Sequence, residues 1–481
     1  MGPQITVVVC NFNKADYLMK AVASVKASRG VACDVVVVDN ASTDDSVQRL
    51  AAEHPDVEVI CLPENVGGSG GFGRGMHEAV RRNAPYVLLL DNDAALAPGA
   101  LAELAAFLEM NPQVGAVGPA VMRMDSPDNV QDVGALLSQT GWCHMPAFAC
   151  LDIRAIPKEP FLCEYLSACA LLTRRSVIEE VGVFAPEFFI YWDDVDWCTR
   201  VRKAGHDLAV LPSASAWHKG GLVSSTSTLP RYYNWRNRLE FFRRHPDMWD
   251  MRAARDGFAR DVFETVVGYM MGGFDDLLPS LEIALEDARD HRLGPATNER
   301  VPPRTSTKRE SIKRALTEGR TYALRFRLES EVSPTDAVGP CVANHDVVAK
   351  VGAAMMNASS RSAVQFIVDS SSSNNISEEQ LRWLPAFDNV RVGVSDAEAT
   401  PIEVHRHFLA ADARSAAPPA IGSDSYMNVV APECDTQRML FIMETARRLA
   451  SVAVDCFPAE LVATPVTRAS RLLWSGKPLN T

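Results

Sequence analysis

Tyr86-Val87-Leu88-Leu89-Leu90-Asp91-Asn92-Asp93 sets an apolar run directly before two carboxylates. An uninterrupted run of this length fits a strand buried on both faces of a parallel sheet, so the acids emerge where the strand gives out. In such sheets ligands sit at the carboxyl ends of the strands. Hard oxygen ligands placed there suit Mg2+ or Mn2+. An ion of that kind, keeping open positions, can bridge a diphosphate and neutralise charge that develops on it as it leaves.

Upstream, residues 5–10 read as a buried strand, 17–28 as a helix, 34–38 as a second strand, 46–53 as a helix and 57–62 as a third strand. A glycine-rich turn then leads into a helix that runs through Arg82. This alternation predicts an α/β fold with a mostly parallel sheet and helices on both faces. Asn11 and Asn13, Asp39 and Asn40, and Asp91 and Asp93 follow the first, second and fourth strands, and should converge on one crevice.

Downstream, a helix is expected over 101–108; the sequence is then less regular until residues 167–172, 176–181 and the acidic motif, and a strand is expected over 206–211, followed by Trp217-His218-Lys219-Gly220-Gly221. The first domain is expected to span residues 1–245. A helical extension and linker should occupy 246–309, with helices near 262–271 and 277–290 and a Pro-, Thr- and charge-rich linker or exposed loop over 295–308. Residues 310–481 suggest a C-terminal α/β module of unknown role, with strands at 363–368, 390–394 and 427–430, a polar loop at 370–375 and a helix at 436–450.

With 481 residues the chain is long enough for two or three cores. Its formal charge of −12 argues against nucleic acid as a main partner, because backbone binding needs concentrated Lys and Arg. Eleven cysteines without a CxxC pair suit a reducing compartment. Met1-Gly2-Pro3-Gln4 runs straight into an apolar strand without a basic segment, so cytoplasmic residence is the default expectation. There is no apolar run of bilayer length, which leaves room for a peripheral contact at the inner face of the cell membrane. The interleaved aromatic and basic stretch from Arg231 to His245 could hold phosphates or anionic lipid heads, or could pack its aromatics inward.

Three further motifs carry chemistry. Phe189-Ile190-Tyr191-Trp192-Asp193-Asp194-Val195-Asp196-Trp197 crowds carboxylates between aromatic rings, which raise a carboxylate's proton affinity and can stack on sugars. That is a sensible place to deprotonate a carbohydrate hydroxyl, although an amphipathic helix start with solvated acids would read the same way. His218 can complete a metal shell, since imidazole accepts Mn2+. Gly67-Gly68-Ser69-Gly70-Gly71-Phe72-Gly73-Arg74-Gly75 lets bare backbone approach an anionic ligand at a helix start. The run satisfies GxGxxG, so an NAD-dependent oxidoreductase is an alternative. It ranks lower because Pro63-Glu64-Asn65-Val66 separate the glycines from their strand.

Five segments taken in order resemble the GT-A glycosyltransferases of family 2, inverting enzymes that use nucleotide sugars: Asn11-Phe12-Asn13, residues 38–44, Asn65-Val66-Gly67-Gly68, Asp91-Asn92-Asp93 and Trp192-Asp193-Asp194. The resemblance covers roughly residues 4–245 and implies a GT-A type nucleotide-sugar-binding sheet. Together with Trp217-His218, the glycine run and the 192–196 motif are similar to bacterial galactofuranosyltransferases, and related rhamnosyltransferases share much of the pattern. The resemblance implies that Asp39 recognises uracil, Asp93 and His218 hold Mn2+ or Mg2+, Asp194 is the base, and Trp192 and Asp193 shape the acceptor site. Asn11, Asn65, Gly67, Gly68, Gly70, Gly71, Arg74, Asp91 and Asn92 are further expected substrate-binding residues. The expected partners are a nucleotide-sugar donor, UDP-galactofuranose first and dTDP-rhamnose as the alternative, and a glycan or lipid-linked glycan acceptor. A homo-oligomer is also open. The chain departs from the pattern in having Asn92 at the centre of its DxD and in lacking a long β-rich segment ahead of residue 5, which favours an initiating or short-chain transferase.

Overall fold

The computed structural model describes residues 4–137, 143–144, 153–220, 228–271, 274–303, 323–329, 363–369, 390–395 and 436–457. They fall into two units, one built from Met1–Asp250 and Glu286–Pro303, the other from Met251–Leu285 and Arg304–Ala463.

The first unit opens with β1 (Gln4–Asn11), α1 (Ala15–Lys26), β2 (Ala32–Asp39), α2 (Ser46–Glu53), β3 (Glu58–Cys61), α3 (Gly67–Arg81) and β4 (Tyr86–Asp91). Strands β3, β2, β1 and β4 lie side by side and parallel. Then follow β5 (Ala94–Leu96), α4 (Ala100–Met110), β6 (Val114–Arg123), β7 (Ser126–Asp132), β8 (Leu136–Leu137), β9 (Cys143–His144), β10 (Phe161–Cys163), β11 (Ala170–Arg174), α5 (Arg175–Val181), α6 (Asp193–Lys203), β12 (Asp207–His218) and α7 (Leu229–Arg244). The ten-stranded sheet runs β10-β12-β6-β11-β4-β1-β2-β3, with β5 on β12 and β7 on β6. Strand β11 is antiparallel to both β4 and β6, so the expected parallel sheet is present with an antiparallel seam in its middle.

Alternation along β1 explains the two layers. Val7 and Val9 face a core with Leu18, Val22, Leu101 and Leu104 of α1 and α4, whereas Val8 faces Phe72 and Met76 of α3 and Trp197 of α6. Leu88, Leu89 and Leu90 are fully buried, each stabilising the sheet by about 1.5–3 kcal/mol. Buried on both sides, the strands must read as continuous apolar runs, and their polar residues are confined to the ends.

Two expectations change in this unit. The glycine run is not a turn before a helix but the first turns of α3 itself. A Cβ on Gly71 would stand 2.3 Å from Cys10 Sγ, and one on Gly75 would stand 2.1 Å from Val8 Cγ1. These glycines let the helix press onto β1. The stretch from Pro295 is no bare linker up to Pro303: Tyr233 Oη accepts from Ala296 N (2.7 Å), Pro302 O accepts from Thr228 Oγ1 (2.8 Å), and Val301 is fully buried. Residues 304–308 lie outside the described residues.

The second unit contains α8 (Met251–Met271), the first turns of α9 (Leu278–Arg289), β13 (Ala323–Glu329), β14 (Ala363–Asp369), β15 (Val390–Ser395) and α10 (Thr436–Asp455). Strand β14 pairs antiparallel with β13 and parallel with β15, and Phe258 packs on Phe457 with centroids 5.9 Å apart. The strand expected at 427–430 and the polar loop at 370–375 lie outside the described residues. Among the described residues, no helix is long and apolar enough to cross a membrane.

Candidate functional site

Parallel strands deliver their last residues to one rim, and side chains tie that rim together. Asn11, at the end of β1, is fully buried; its Nδ2 donates to Asp39 Oδ1 (2.8 Å) and its Oδ1 accepts from Asn92 Nδ2 (2.8 Å). The ends of the first, second and fourth strands are thus linked through one amide. Asp39 Oδ2 in turn accepts from Ser42 N (3.0 Å), closing the loop after β2.

Asp91, Asp93 and His218 form a second group, each offering one ligand atom within 4.8 Å of the others. His218 comes from the end of β12, which runs past the expected 206–211 and pairs with β5 so that His218 lies opposite Ala94. Lys219 N also donates to Asp93 O (3.0 Å). His218 Nε2 is 3.3 Å from Asp91 Oδ2 and 3.2 Å from Asp93 Oδ1. Burial opposes charge on this imidazole, but Cys169, Asp91 and Asp93 reverse the effect and raise its proton affinity. Burial would likewise raise Asp93, yet His218 and Lys14 hold it down to about 2. The other imidazole nitrogen, Nδ1, lies 2.9 Å from the Gln131 side-chain amide. The Gln131 atom at that distance is Nε2, so Nδ1 accepts and the imidazole Nε2–H faces the two carboxylates; an ion on the imidazole Nε2 requires the ring proton to move to Nδ1 and the amide to turn its oxygen toward it.

The third group surrounds the start of α6. Asp193 is buried and its Oδ2 accepts from Ser69 Oγ (2.7 Å) in α3. Asp194 Oδ2 accepts from Tyr165 Oη (2.9 Å) and Oδ1 accepts from Val195 N (2.9 Å). Burial first, and the Asp193 charge second, push the Asp194 carboxyl well above the ordinary carboxylate range. A carboxylate in that condition is fitted to take a proton near neutral pH.

The loop before these acids is left-handed at Phe189 (φ 66°), Tyr191 (φ 66°) and Trp192 (φ 69°). Side chains cost energy there and must be held from outside. Asn237 of α7, fully buried, supplies the hold: its Nδ2 donates to the carbonyls of Phe188 (2.8 Å), Ile190 (2.8 Å) and Tyr191 (2.9 Å). Arg236 adds a bond to Phe188 O (3.2 Å), and Asn234 Oδ1 accepts from Trp192 Nε1 (2.9 Å). The aromatic and basic stretch therefore packs inward. Trp192 is itself buried against Phe241 and anchors the loop.

The remaining expected residues divide. Asn65 Oδ1 accepts from Gly67 N (2.8 Å), and Gly67 O accepts from Asn40 Nδ2 (3.0 Å), which fixes the start of α3 beside β2. The amide of Ser69 donates to Phe189 O (3.1 Å), so this helix start holds the loop that precedes Asp193 and Asp194. A Cβ on Gly70 would meet Val66 at 2.6 Å, whereas one on Gly68 would meet nothing within 4 Å, leaving Gly68 on the open side. The Arg74 guanidinium lies 3.8 Å from Glu78, one turn along its own helix. Lys14, Gln131 and Tyr165 lie outside the motifs that the sequence marks. Ser69 lies in the glycine run and Asn237 in the aromatic and basic stretch, and Lys14 directly follows Asn13.

Residues 3–240 match the family described as Glycosyltransferase like family 2. Galactofuranosyltransferase GlfT2 of Mycobacterium tuberculosis is 25% identical over 232 residues, 43% of this chain but only 36% of that protein's length. N-acetylglucosaminyl-diphospho-decaprenol L-rhamnosyltransferase of the same organism is 25% identical over 245 residues, 45% of this chain and 76% of the relative. Among solved structures, GalNAc-T7 with UDP, GalNAc and Mn2+ aligns with a TM-score of 0.43 and 14% identity, over 54% of this chain and 50% of the other. Over residues 3–240, the chain belongs to the glycosyltransferase-like family 2.

Proposed function

We propose that the chain is an inverting glycosyltransferase that moves galactofuranose from UDP-galactofuranose to a hydroxyl of a cell-surface or lipid-linked glycan, with residues 1–245 as its catalytic part. The observation that carries this is that Asp194, with its raised proton affinity, accepts from Ala168 N (3.4 Å) next to Cys169, whose carbonyl accepts from the amide of Asp91 (3.1 Å) in the Asp91, Asp93 and His218 group. Two carboxylates and an imidazole suit Mn2+ or Mg2+, and Asp91, Asp93 and His218 would hold the ion. When bound it supplies charge neutralisation for the departing diphosphate. Asp39, fixed by Asn11 and Ser42, faces the nucleobase. Asp194 takes the proton of the acceptor hydroxyl as that oxygen attacks the anomeric carbon from the side opposite UDP, which inverts the centre. Tyr165 and the Val195 amide orient the carboxylate, and Asp193, tied to Ser69, shapes the acceptor side.

A second reading, transfer of rhamnose from dTDP-rhamnose, is favoured by the rhamnosyltransferase relative, which the match covers over 76% of its length. The NAD reading loses ground because the GxGxxG glycines lie inside α3, behind β3, and not in the first strand-to-helix turn. The test is thermal unfolding with Mn2+ against UDP, dTDP, their sugar conjugates and NAD, since a ligand at a hundred times its Kd stabilises the fold by about 2.7 kcal/mol. A metal-dependent shift with UDP and UDP-galactofuranose is expected. A shift with dTDP-rhamnose instead changes the sugar, and a shift with NAD alone overturns the proposal.

A further inference from the structure

Lys14 Nζ donates to Asp93 Oδ2 at 2.6 Å, while the other oxygen of the same carboxylate lies 3.2 Å from His218 Nε2. The Asp93 side chain is 4% exposed and that of Lys14 is 42%, so the ammonium reaches the carboxylate from the solvent side. The stem is long but its base is fixed. Asn13 is left-handed (φ 50°), its N donates to Ser42 Oγ (3.0 Å), its Oδ1 accepts from Thr43 N (2.7 Å), and Ala15 N donates to Asp44 Oδ2 (3.0 Å). Those residues continue from Asp39, so Lys14 is mounted between the carboxylate proposed for the nucleobase and the carboxylates proposed for the ion.

A metal-held diphosphate joining a nucleoside to the sugar must cross that interval. An ammonium and a divalent ion compete for one carboxylate oxygen, whereas a diphosphate attracts both, and lysine binds phosphate as a point charge. We propose that Lys14 is a diphosphate-binding residue that serves as the internal counter-cation of Asp93 until a metal and nucleotide arrive, and then passes its hydrogen bond from Asp93 to a phosphate oxygen. The assignment rests on the donor-site proposal above. It gives two effects of opposite sign, which a lysine that merely braces Asp93 would not.

The experiment compares wild type with Lys14→Met and Lys14→Arg. Mn2+ is titrated without nucleotide and followed by electron paramagnetic resonance; UDP is then titrated by calorimetry at saturating Mn2+. Lys14→Met is expected to bind Mn2+ about fivefold more tightly, because a competing charge is gone. It should bind UDP about tenfold more weakly, because a charge-assisted bond is gone. Lys14→Arg should stay near wild type in both. Unchanged or weaker Mn2+ binding by Lys14→Met, or unchanged UDP binding, overturns the role of Lys14 while leaving the metal centre standing. Failure of the wild type to bind Mn2+ at all overturns the metal centre itself, and this proposal with it.

Discussion

A Cβ on Gly67 would stand 2.0 Å from the carbonyl oxygen of Phe189. The helix that begins at Gly67 and the loop that carries Asp193 and Asp194 are therefore fitted to each other through a hydrogen atom. Gly67 is also left-handed (φ 75°), so Gly67→Ala meets about 1–2 kcal/mol of backbone strain in addition to the clash. Pushing the loop by even an ångström should lower kcat about a hundredfold, while KM for the donor changes much less. Steady-state kinetics checks this; an equal loss in both constants would place the damage at the donor.

Asn237 meets three carbonyls with one amide group. Asn237→Ala should take the Asn237 donor from the part-buried Ile190 and Tyr191 carbonyls, at about 1–3 kcal/mol each, seen as a drop in Tm and a fall in kcat, while Phe188 O keeps Arg236. Asn237→Asp should be worse than alanine, since a carboxylate offers those carbonyls no donor. Thermal unfolding of the two variants side by side tests the order.

The raised pKa of Asp194 has a signed consequence for stability. Between the unfolded carboxylate pKa and the higher folded one, the native state holds a proton that the unfolded state has lost, so stability declines as pH rises through that window. Asp194→Asn should remove that decline, be at least as stable as wild type at its alkaline end, and lose transfer by several orders of magnitude while still binding UDP. Denaturant unfolding as a function of pH, paired with an activity assay, decides it; wild-type-like turnover would remove Asp194 from the mechanism.

Gln131 lies 2.9 Å from His218 Nδ1 and touches the metal group only through that ring. Gln131→Ala should weaken Mn2+ binding about 10- to 100-fold. Gln131→Glu, whose carboxylate can accept from Nδ1–H once an ion takes Nε2, should retain most of it. Mn2+ titration without nucleotide is the measurement.

Much of the sheet could be read from the chain, because strands buried on both faces leave runs such as Val87 to Leu90 and push Asn11, Asp39 and Asp91 to their ends. The glycine run was harder. A glycine needed for close approach to Val8 looks in sequence like one needed for a flexible turn, and only the packed helix tells them apart. Asn237 was hidden for another reason: its partners lie 46 to 49 positions away, and its burial depends on how α7 lands on a loop whose own shape it enforces. Lys14 and Gln131 belong to the same class, residues whose meaning is set by a distant partner and not by their neighbours in the chain.

His218 and Asp93 are 125 positions apart, and the short pairing of β5 with β12 is what seats them together. A nascent chain that has already built its first four strands still offers an ion only two carboxylates. On the proposed function, metal capture is therefore a late event in synthesis, and retention of Mn2+ by a truncated or heat-stressed sample would report that β12, the last strand of the sheet in chain order, has found its place.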